Sequence, residues 1–118
     1  MQFVVAINDH DTRALSALMT PDHTFVDSLG NQVHSAPSMD AGWRNYFSMC
    51  PNYWIHIDHL MAERSMVLAV GEAGGTIDGV SWRAPAAWKA VVRLGKVREW
   101  RVFADNKSVY EILARRQQ

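Results

Sequence analysis

The sequence predicts an α+β domain, a cone-shaped α+β barrel in which a curved, mostly antiparallel sheet is wrapped over three N-terminal helices. Apolar residues recur at helical spacing before residue 52, and runs of β-branched and aromatic residues, separated by turn residues, follow it. Helices that precede a block of strands are typical of α+β proteins. Since the 118 residues contain no internal repeat and no linker, we expect residues 1–118 to form a single domain.

Three helices are predicted in the first half of the chain. They are an apolar helix that ends near Asn8, a helix that follows the N-cap Asp11, and a helix from about Pro37 to Pro51. The second helix is expected to include Met19 and to end at Pro21, because the residue before a proline is pushed out of the α region. A loop is expected around Gly30 and Asn31.

Five strands and a short terminal helix complete the predicted order. The strands are expected at His23–Asp27, Tyr53–Leu60, Met66–Glu72, Trp82–Arg93 and Val97–Ala104, and the helix at Val109–Leu113. The third of these strands is expected to stop before Gly74. The last two strands are separated only by the turn residues of a tight hairpin.

Composition excludes several classes of partner. The 12 basic residues balance the 12 acidic ones, which argues against a nucleic-acid-binding surface. No apolar run approaches the roughly 18 residues of a membrane span, and the N-terminal stretch lacks the basic region of a signal peptide. A single cysteine, Cys50, allows no internal disulfide, so a reducing cytoplasm is the simplest expectation.

The motifs of metal and cofactor sites are absent from the sequence. His56 and His59 form an H-x-x-H pair, but positions i and i+3 of a strand face opposite ways, so we expect no shared metal. One of these two histidines should face the cavity for the same reason. Without a Gly-rich phosphate loop, no nucleotide cofactor is expected.

Asp27 has two competing interpretations. Strand alternation places Asp27 on the same face as Phe25, and a carboxylate desolvated there would be a useful proton acceptor. However, Asp at position i with Gly at i+3 is typical of a type I turn, and Asp27 and Gly30 have this spacing. A carboxylate held by turn amides would be structural instead.

Three segments of the sequence carry a resemblance to a known family. They are Ala6-Ile7-Asn8-Asp9-His10-Asp11, then Asp22-His23-Thr24-Phe25-Val26-Asp27 with Gly30, and finally Gly95-Lys96-Val97 leading to Trp100–Asp105. In their order and spacing they resemble the nuclear transport factor 2-like superfamily, which includes ketosteroid isomerases and SnoaL-like polyketide cyclases. The resemblance implies a cone-shaped fold, but this fold hosts many unrelated functions.

The resemblance also implies a role for particular residues. Asp27 falls at the position of the proton-abstracting aspartate of the ketosteroid isomerases. The positions of their two oxyanion donors hold Phe3 and Trp88, which carry no O–H group. Phe3 has no donor at all, and only the indole N–H of Trp88 could donate, so steroid isomerase activity is not expected. The limonene epoxide hydrolases place an Asp near the Trp88 position, so this activity also loses support.

The function expected is that of a cofactor-independent enzyme, an isomerase, cyclase or lyase that uses general acid–base catalysis on an apolar small molecule in a conical pocket. The alternative is a non-catalytic small-molecule-binding or dimerisation module. By resemblance, we expect a homodimer through the outer sheet face that carries Glu99 and Arg101. The catalytic candidates are Asp27, His34 and His56, and the substrate-binding candidates are Phe3, Phe25, Trp43, Tyr53, Trp54, Trp88, Trp100 and Val102.

Overall fold

The computed structural model describes residues 2–115. Its helices are α1 (Gln2–Asn8), α2 (Thr12–Ala17), α3 (Ala36–Met49) and α4 (Lys107–Arg115). Its strands are β1 (Met19–Val26), β2 (Gln32–His34), β3 (Trp54–Glu63), β4 (Met66–Ile77), β5 (Val80–Arg93) and β6 (Lys96–Ala104). The predicted α+β class is confirmed, since α1, α2 and α3 precede the four long antiparallel strands β3 to β6.

The six strands form one curved, open sheet in the order β2-β1-β6-β5-β4-β3. All neighbouring strands pair antiparallel except β1 and β6, which pair parallel. Alternate residues of the long strands face inward, and Ala69, Trp88 and Trp100 on this inner face are each about 1% exposed. The core therefore lies between the inner face of the sheet and the helices.

The junction of α1 and α2 is fixed to β3 by side chains. Asn8 donates from Nδ2 to the carbonyl of Ile55 (3.0 Å) and accepts the Ile55 amide on Oδ1 (2.8 Å). His10 makes a 2.6 Å hydrogen bond with the carbonyl of Tyr53, and Asp11 caps α2 by accepting the amide of Ala14. The Asn8–Asp11 segment therefore anchors the helices on the sheet.

The second helix ends earlier than predicted. Met19 begins β1 and pairs with Val97 of β6, whose amide donates to the carbonyl of Leu18 at 2.7 Å. The strand continues through Pro21, which is exposed. The helical spacing of Met19 was therefore misleading, because pairing with a distant strand satisfies its backbone instead.

Two strand boundaries also differ from the prediction. β4 continues past Gly74 to Ile77, and a two-residue turn at Asp78-Gly79 leads into β5. Both turn residues have positive φ, 52° and 77°, as a type I′ hairpin requires. Gly30 (φ 87°) closes the turn that Asp27 opens, and this turn joins β1 to the short strand β2, which was predicted as loop.

Candidate functional site

A cavity of about 280 Å³ lies between the inner face of the sheet, α3 and α4. Eight aromatic side chains line it, including all three tyrosines and four of the five tryptophans. These eight, called the aromatic lining below, are Phe25, Trp43, Tyr46, Tyr53, Trp82, Trp88, Trp100 and Tyr110. Such a concave, mostly apolar cavity with several aromatic side chains is typical of small-molecule sites.

Small residues on the strands leave the space for this cavity. Ala73 of β4, Ala86 of β5 and Ala104 of β6 lie on the inner face and line the cavity. A larger side chain at any of them would extend into it. The remaining apolar lining comes from Val33, Met39, Met49, Val102, Val109 and Leu113.

Tyr46 of α3 and Tyr53, just before β3, supply hydroxyl groups to the lining. Their ring centroids lie 4.9 Å apart. Burial raises the pKa of both phenols well above the ordinary value, so they stay protonated and can donate hydrogen bonds. The indole N–H of Trp43 is buried and has no hydrogen-bond partner among the described residues. The two hydroxyl groups can donate to an acceptor atom of a ligand.

Asp27 combines the two geometries that the sequence left open. Its Oδ1 accepts the amides of Leu29 and Asn31, both at 2.9 Å, and its Oδ2 accepts the side chain of Asn31 at 3.1 Å. Its carbonyl accepts the amide of Gly30 at 3.0 Å, which closes the turn. Asp27 is also half-buried and lines the cavity. It is the only charged side chain among the described residues of the lining.

The turn of Asp27 also holds the last helix in place. Ser28 accepts a hydrogen bond from Asn106 Nδ2 (3.0 Å), and its hydroxyl lies 3.3 Å from the hydroxyl of Tyr110. Val109, Tyr110 and Leu113 of α4 form part of the cavity wall. The helix α4 therefore covers the cavity and is fixed to the β1–β2 turn by Ser28.

Neither His34 nor His56 lies in the cavity lining. His34 is exposed on β2, with its Nδ1 3.3 Å from the hydroxyl of Thr24. His56 is exposed on the outer face of β3, 3.2 Å from the carboxylate of Asp58. The prediction that His56 or His59 faces the cavity was wrong, because a bulge at Asp58 turns His59 to the outer face as well.

Two predicted substrate contacts also lie outside the lining. Phe3 is buried beneath it and packs on Trp100, with ring centroids 4.9 Å apart. Trp54 lies on the outer face of β3 with the guanidinium of Arg83 6.0 Å from its ring, since strand alternation turns its neighbour Ile55 inward. The other six predicted contacts, Phe25, Trp43, Tyr53, Trp88, Trp100 and Val102, all belong to the lining.

Three aromatic residues of the lining were not predicted as site residues. Tyr46 follows Trp43 by three positions on α3, and this helical spacing places both on one face. Trp82 lies on the inner face of β5, two positions before Ala84. Spacing could have found these two, whereas Tyr110 reaches the cavity only because α4 folds back over the sheet.

The SnoaL-like domain family matches residues 1–109. The chain belongs to this family. Several solved structures share its fold. A protein from Shewanella denitrificans OS-217, named as a candidate SnoaL-like polyketide cyclase, superposes with a TM-score of 0.85 at 15% identity, covering 96% of this chain and 92% of that one.

Two further structures resemble this SnoaL-like domain. An LEH-like epoxide hydrolase from M. tuberculosis has a TM-score of 0.83 at 16% identity and covers 97% of this chain and 85% of that one. A protein with a ketosteroid isomerase-like fold from Catenulispora acidiphila DSM 44928, in complex with trimethylamine, has a TM-score of 0.79 at 19% identity. The match covers 86% of this chain and 80% of that one. At these identities the likeness shows the fold, and function has to be argued from the site.

No helix within residues 2–115 has the length and apolar character needed to cross a bilayer. In the same residues, His, Cys, Asp and Glu side chains form no group of three that could hold a metal ion.

Proposed function

We propose that this protein binds a small apolar molecule in the aromatic cavity and acts on it by general acid–base catalysis without a cofactor, as an isomerase, cyclase or lyase. The observation that carries the proposal is one carboxylate, Asp27, at an otherwise uncharged aromatic cavity. The similar proteins support it, since one is named as an epoxide hydrolase and another was solved with trimethylamine bound. The cytoplasm is the compartment proposed, because Cys50 is a free thiol.

The catalytic roles follow from the chemistry of the lining. Among the described residues, Asp27 Oδ2 accepts one hydrogen bond, from the side chain of Asn31, and a carboxylate oxygen has a second lone pair that can take a proton. Tyr46 and Tyr53 stay protonated, so they can donate to an oxygen on which negative charge develops. They would supply the O–H donors that Phe3 and Trp88 lack.

The volume of the cavity limits the substrate. At about 280 Å³ it is slightly smaller than the roughly 300–1,000 Å³ usual for drug-sized ligands. A four-ring steroid is therefore a poor fit, and we propose a substrate of one or two rings, or a compact branched chain. In the described part of the cavity wall there is also no arginine, so the Asp-Arg-Asp set of the limonene epoxide hydrolases is not available there.

A non-catalytic ligand-binding module is the second candidate. The observation that favours it is the engagement of Asp27 by three hydrogen bonds from its own turn. These bonds give the carboxylate a structural role in the turn. In this alternative the cavity binds a ligand and Asp27 only shapes its rim.

Proton abstraction provides a test that does not require the natural substrate. We would follow exchange of the α-hydrogens of cyclohexanone in D₂O by NMR, with and without protein. If Asp27 is the base, the protein accelerates exchange, and Asp27→Asn lowers the rate by a factor of about 100 or more. Asp58→Asn, which removes an exposed carboxylate on the outer face, is the matched control and should leave the rate unchanged.

The two candidates give different results in this test. Binding of cyclohexanone, measured by tryptophan fluorescence, without acceleration of exchange would favour the binding module. An Asp27→Asn variant that only lowers the melting temperature would show that the carboxylate is structural.

We further propose that the protein is a homodimer through the outer face of the sheet. Phe103, Ala87 and Val70 pair across β6, β5 and β4 and form a continuous apolar row, called the outer row below. Phe103 and Val70 are 49% and 38% exposed. A contiguous exposed apolar patch is typical of interaction sites.

A further inference from the structure

We infer that the cavity selects a small organic cation, an alkyl- or arylammonium ion, whose charge is held by the aromatic lining with Asp27 as the counter-charge at the rim. This inference rests on the proposed ligand-binding function and narrows the ligand to one whose apolar body carries an ammonium group.

The charges around the cavity favour a cation. Among the 21 described residues that line it there is one carboxylate, Asp27, and no lysine, arginine or histidine. An anionic ligand would meet no positive charge there and would be repelled by Asp27. Because the surroundings are apolar and buried, this difference is screened less than it would be at the surface.

The aromatic lining adds to the same preference. Aromatic rings attract cations over their faces, within about 6 Å of the centroid, and most strongly when the cation is desolvated. The rings of Phe25, Tyr46, Tyr53 and Tyr110 belong to the lining and keep part of their surface exposed, so an ammonium ion in the cavity would have several rings in reach.

The polar groups of the lining suit the rest of such a ligand. Tyr46 and Tyr53 belong to the lining and carry protonated hydroxyls. These donors cannot stabilise the ammonium itself, but they can bind an oxygen elsewhere on the ligand. An amine that also carries a hydroxyl or carbonyl group therefore matches both features of the cavity.

Three probes of nearly equal shape separate charge from size. Choline is the cation, 3,3-dimethyl-1-butanol is its uncharged analogue, and 3,3-dimethylbutanoate is the anion. Affinity would be measured by calorimetry and by tryptophan fluorescence at fixed, low salt. We expect choline to bind about tenfold tighter than the alcohol, and the anion to bind most weakly.

Matched variants identify the groups that select the charge. Asp27→Asn and Trp82→Leu should each reduce the choline preference over the alcohol by about threefold to tenfold. Trp54→Leu, which removes the only tryptophan outside the lining, should leave the preference unchanged. Circular dichroism shows which variants are folded, and the ratio of two affinities in one variant is insensitive to a small loss of folded protein.

The outcomes separate this inference from the proposed function. If the alcohol binds as tightly as choline, or if neither Asp27→Asn nor Trp82→Leu changes the ratio, the inference about charge is overturned while ligand binding stands. If none of the three probes binds the wild-type protein, the proposed binding function fails, and the inference fails with it.

Discussion

His23 is a fully buried imidazole with a single hydrogen bond. Its Nδ1 lies 2.8 Å from the carbonyl of Val97, so Nδ1 carries the hydrogen, while Nε2 is buried without a partner among the described residues. Desolvation lowers the pKa of His23 below the ordinary 6.5, and the hydrogen bond to Val97 and the nearby Asp22 offset this only in part. The fold therefore holds His23 neutral.

This environment predicts a loss of stability at mildly acidic pH. Below about pH 6.5 the unfolded chain binds a proton at His23 that the folded chain does not, so stability is complete above this pH and falls as the pH decreases towards the lowered folded pKa. Each unit by which folding lowers the pKa contributes about 1.4 kcal/mol to this loss. Urea unfolding of the wild type and of His23→Asn between about pH 7.5 and pH 5 would measure it.

The variant keeps a donor for Val97 but removes the titrating group. Because Asn fills less of the buried site, His23→Asn should be less stable at neutral pH. Because the titrating group is gone, the stability of the variant should fall less as the pH decreases. Since the other histidines are present in both proteins, the difference between the two curves isolates His23. Parallel curves for the two proteins across this range would show that His23 does not control the acid sensitivity.

At the residue scale, the sequence placed the aromatic side chains better than the polar ones. Phe25 and Trp88 line the cavity, and both could be predicted because strand alternation is a local property. His56 and His59 could not be placed, since a single extra residue at Asp58 reverses the faces that follow it. Asp27 both opens the turn and lines the cavity, because the turn and the cavity rim are the same place in the fold, and its role as a base stays a prediction.

At the scale of elements, short turns were predictable where their chemistry was recognised. Leu94 and Gly95 form a tight turn with φ of 53° and 78°, as expected from the sequence. Asp78-Gly79 is an equally strong hairpin signal, but Gly74 favoured an earlier end, so β4 was predicted too short. Gly71 also belongs inside β4 because its missing side chain lets the bulged strand β3 approach, and a Cβ there would overlap the His56 carbonyl oxygen.

The attachment of α4 gives a prediction for this element. Ser28→Ala removes two contacts of the β1–β2 turn. One is the hydrogen bond from Asn106 Nδ2, just before α4, and the other is the contact with the Tyr110 hydroxyl in α4. We expect a loss of about 1 kcal/mol in the free energy of unfolding. Amide hydrogen exchange in α4 should accelerate severalfold, because a local opening requires less free energy.

Ser48→Ala is the matched control for this change. Ser48 is exposed on α3 and does not line the cavity, so its substitution should leave exchange in α4 unchanged. If Ser28→Ala and Ser48→Ala give the same exchange rates in α4, the Ser28 hydrogen bonds do not hold the helix. Faster release of a bound fluorescent ligand from Ser28→Ala would show, in addition, that α4 controls access to the cavity.

At the scale of the whole molecule, the class of fold was predictable and the cavity was not. The order of helices and strands follows from local periodicity, which is a property of short segments. The cavity depends on residues far apart in the chain, since Phe25, Tyr53 and Tyr110 meet only after the sheet has curved and α4 has closed over it. Its volume is a small difference between the space enclosed and the side chains that fill it, which no local pattern specifies.

The proposed dimer gives the prediction that belongs to the assembled molecule. A stable interface buries about 800 Å² on each partner, with apolar groups at its centre, and the outer row supplies such a centre between β4 and β6. The Lys89–Glu99 ion pair (2.9 Å) lies beside the row and would form part of a polar rim. Phe103→Glu would place an unpaired charge at the centre of the interface.

We therefore expect light scattering after gel filtration to give twice the 13.3 kDa mass of one chain for the wild type, and a monomer for Phe103→Glu. Leu94→Glu is the control, because Leu94 is equally apolar and 96% exposed but lies at a hairpin turn away from the outer row. A wild-type monomer at all concentrations would contradict the dimer. If Phe103→Glu remains a dimer, the subunits associate through another surface, since a buried, unpaired carboxylate at the interface would prevent pairing.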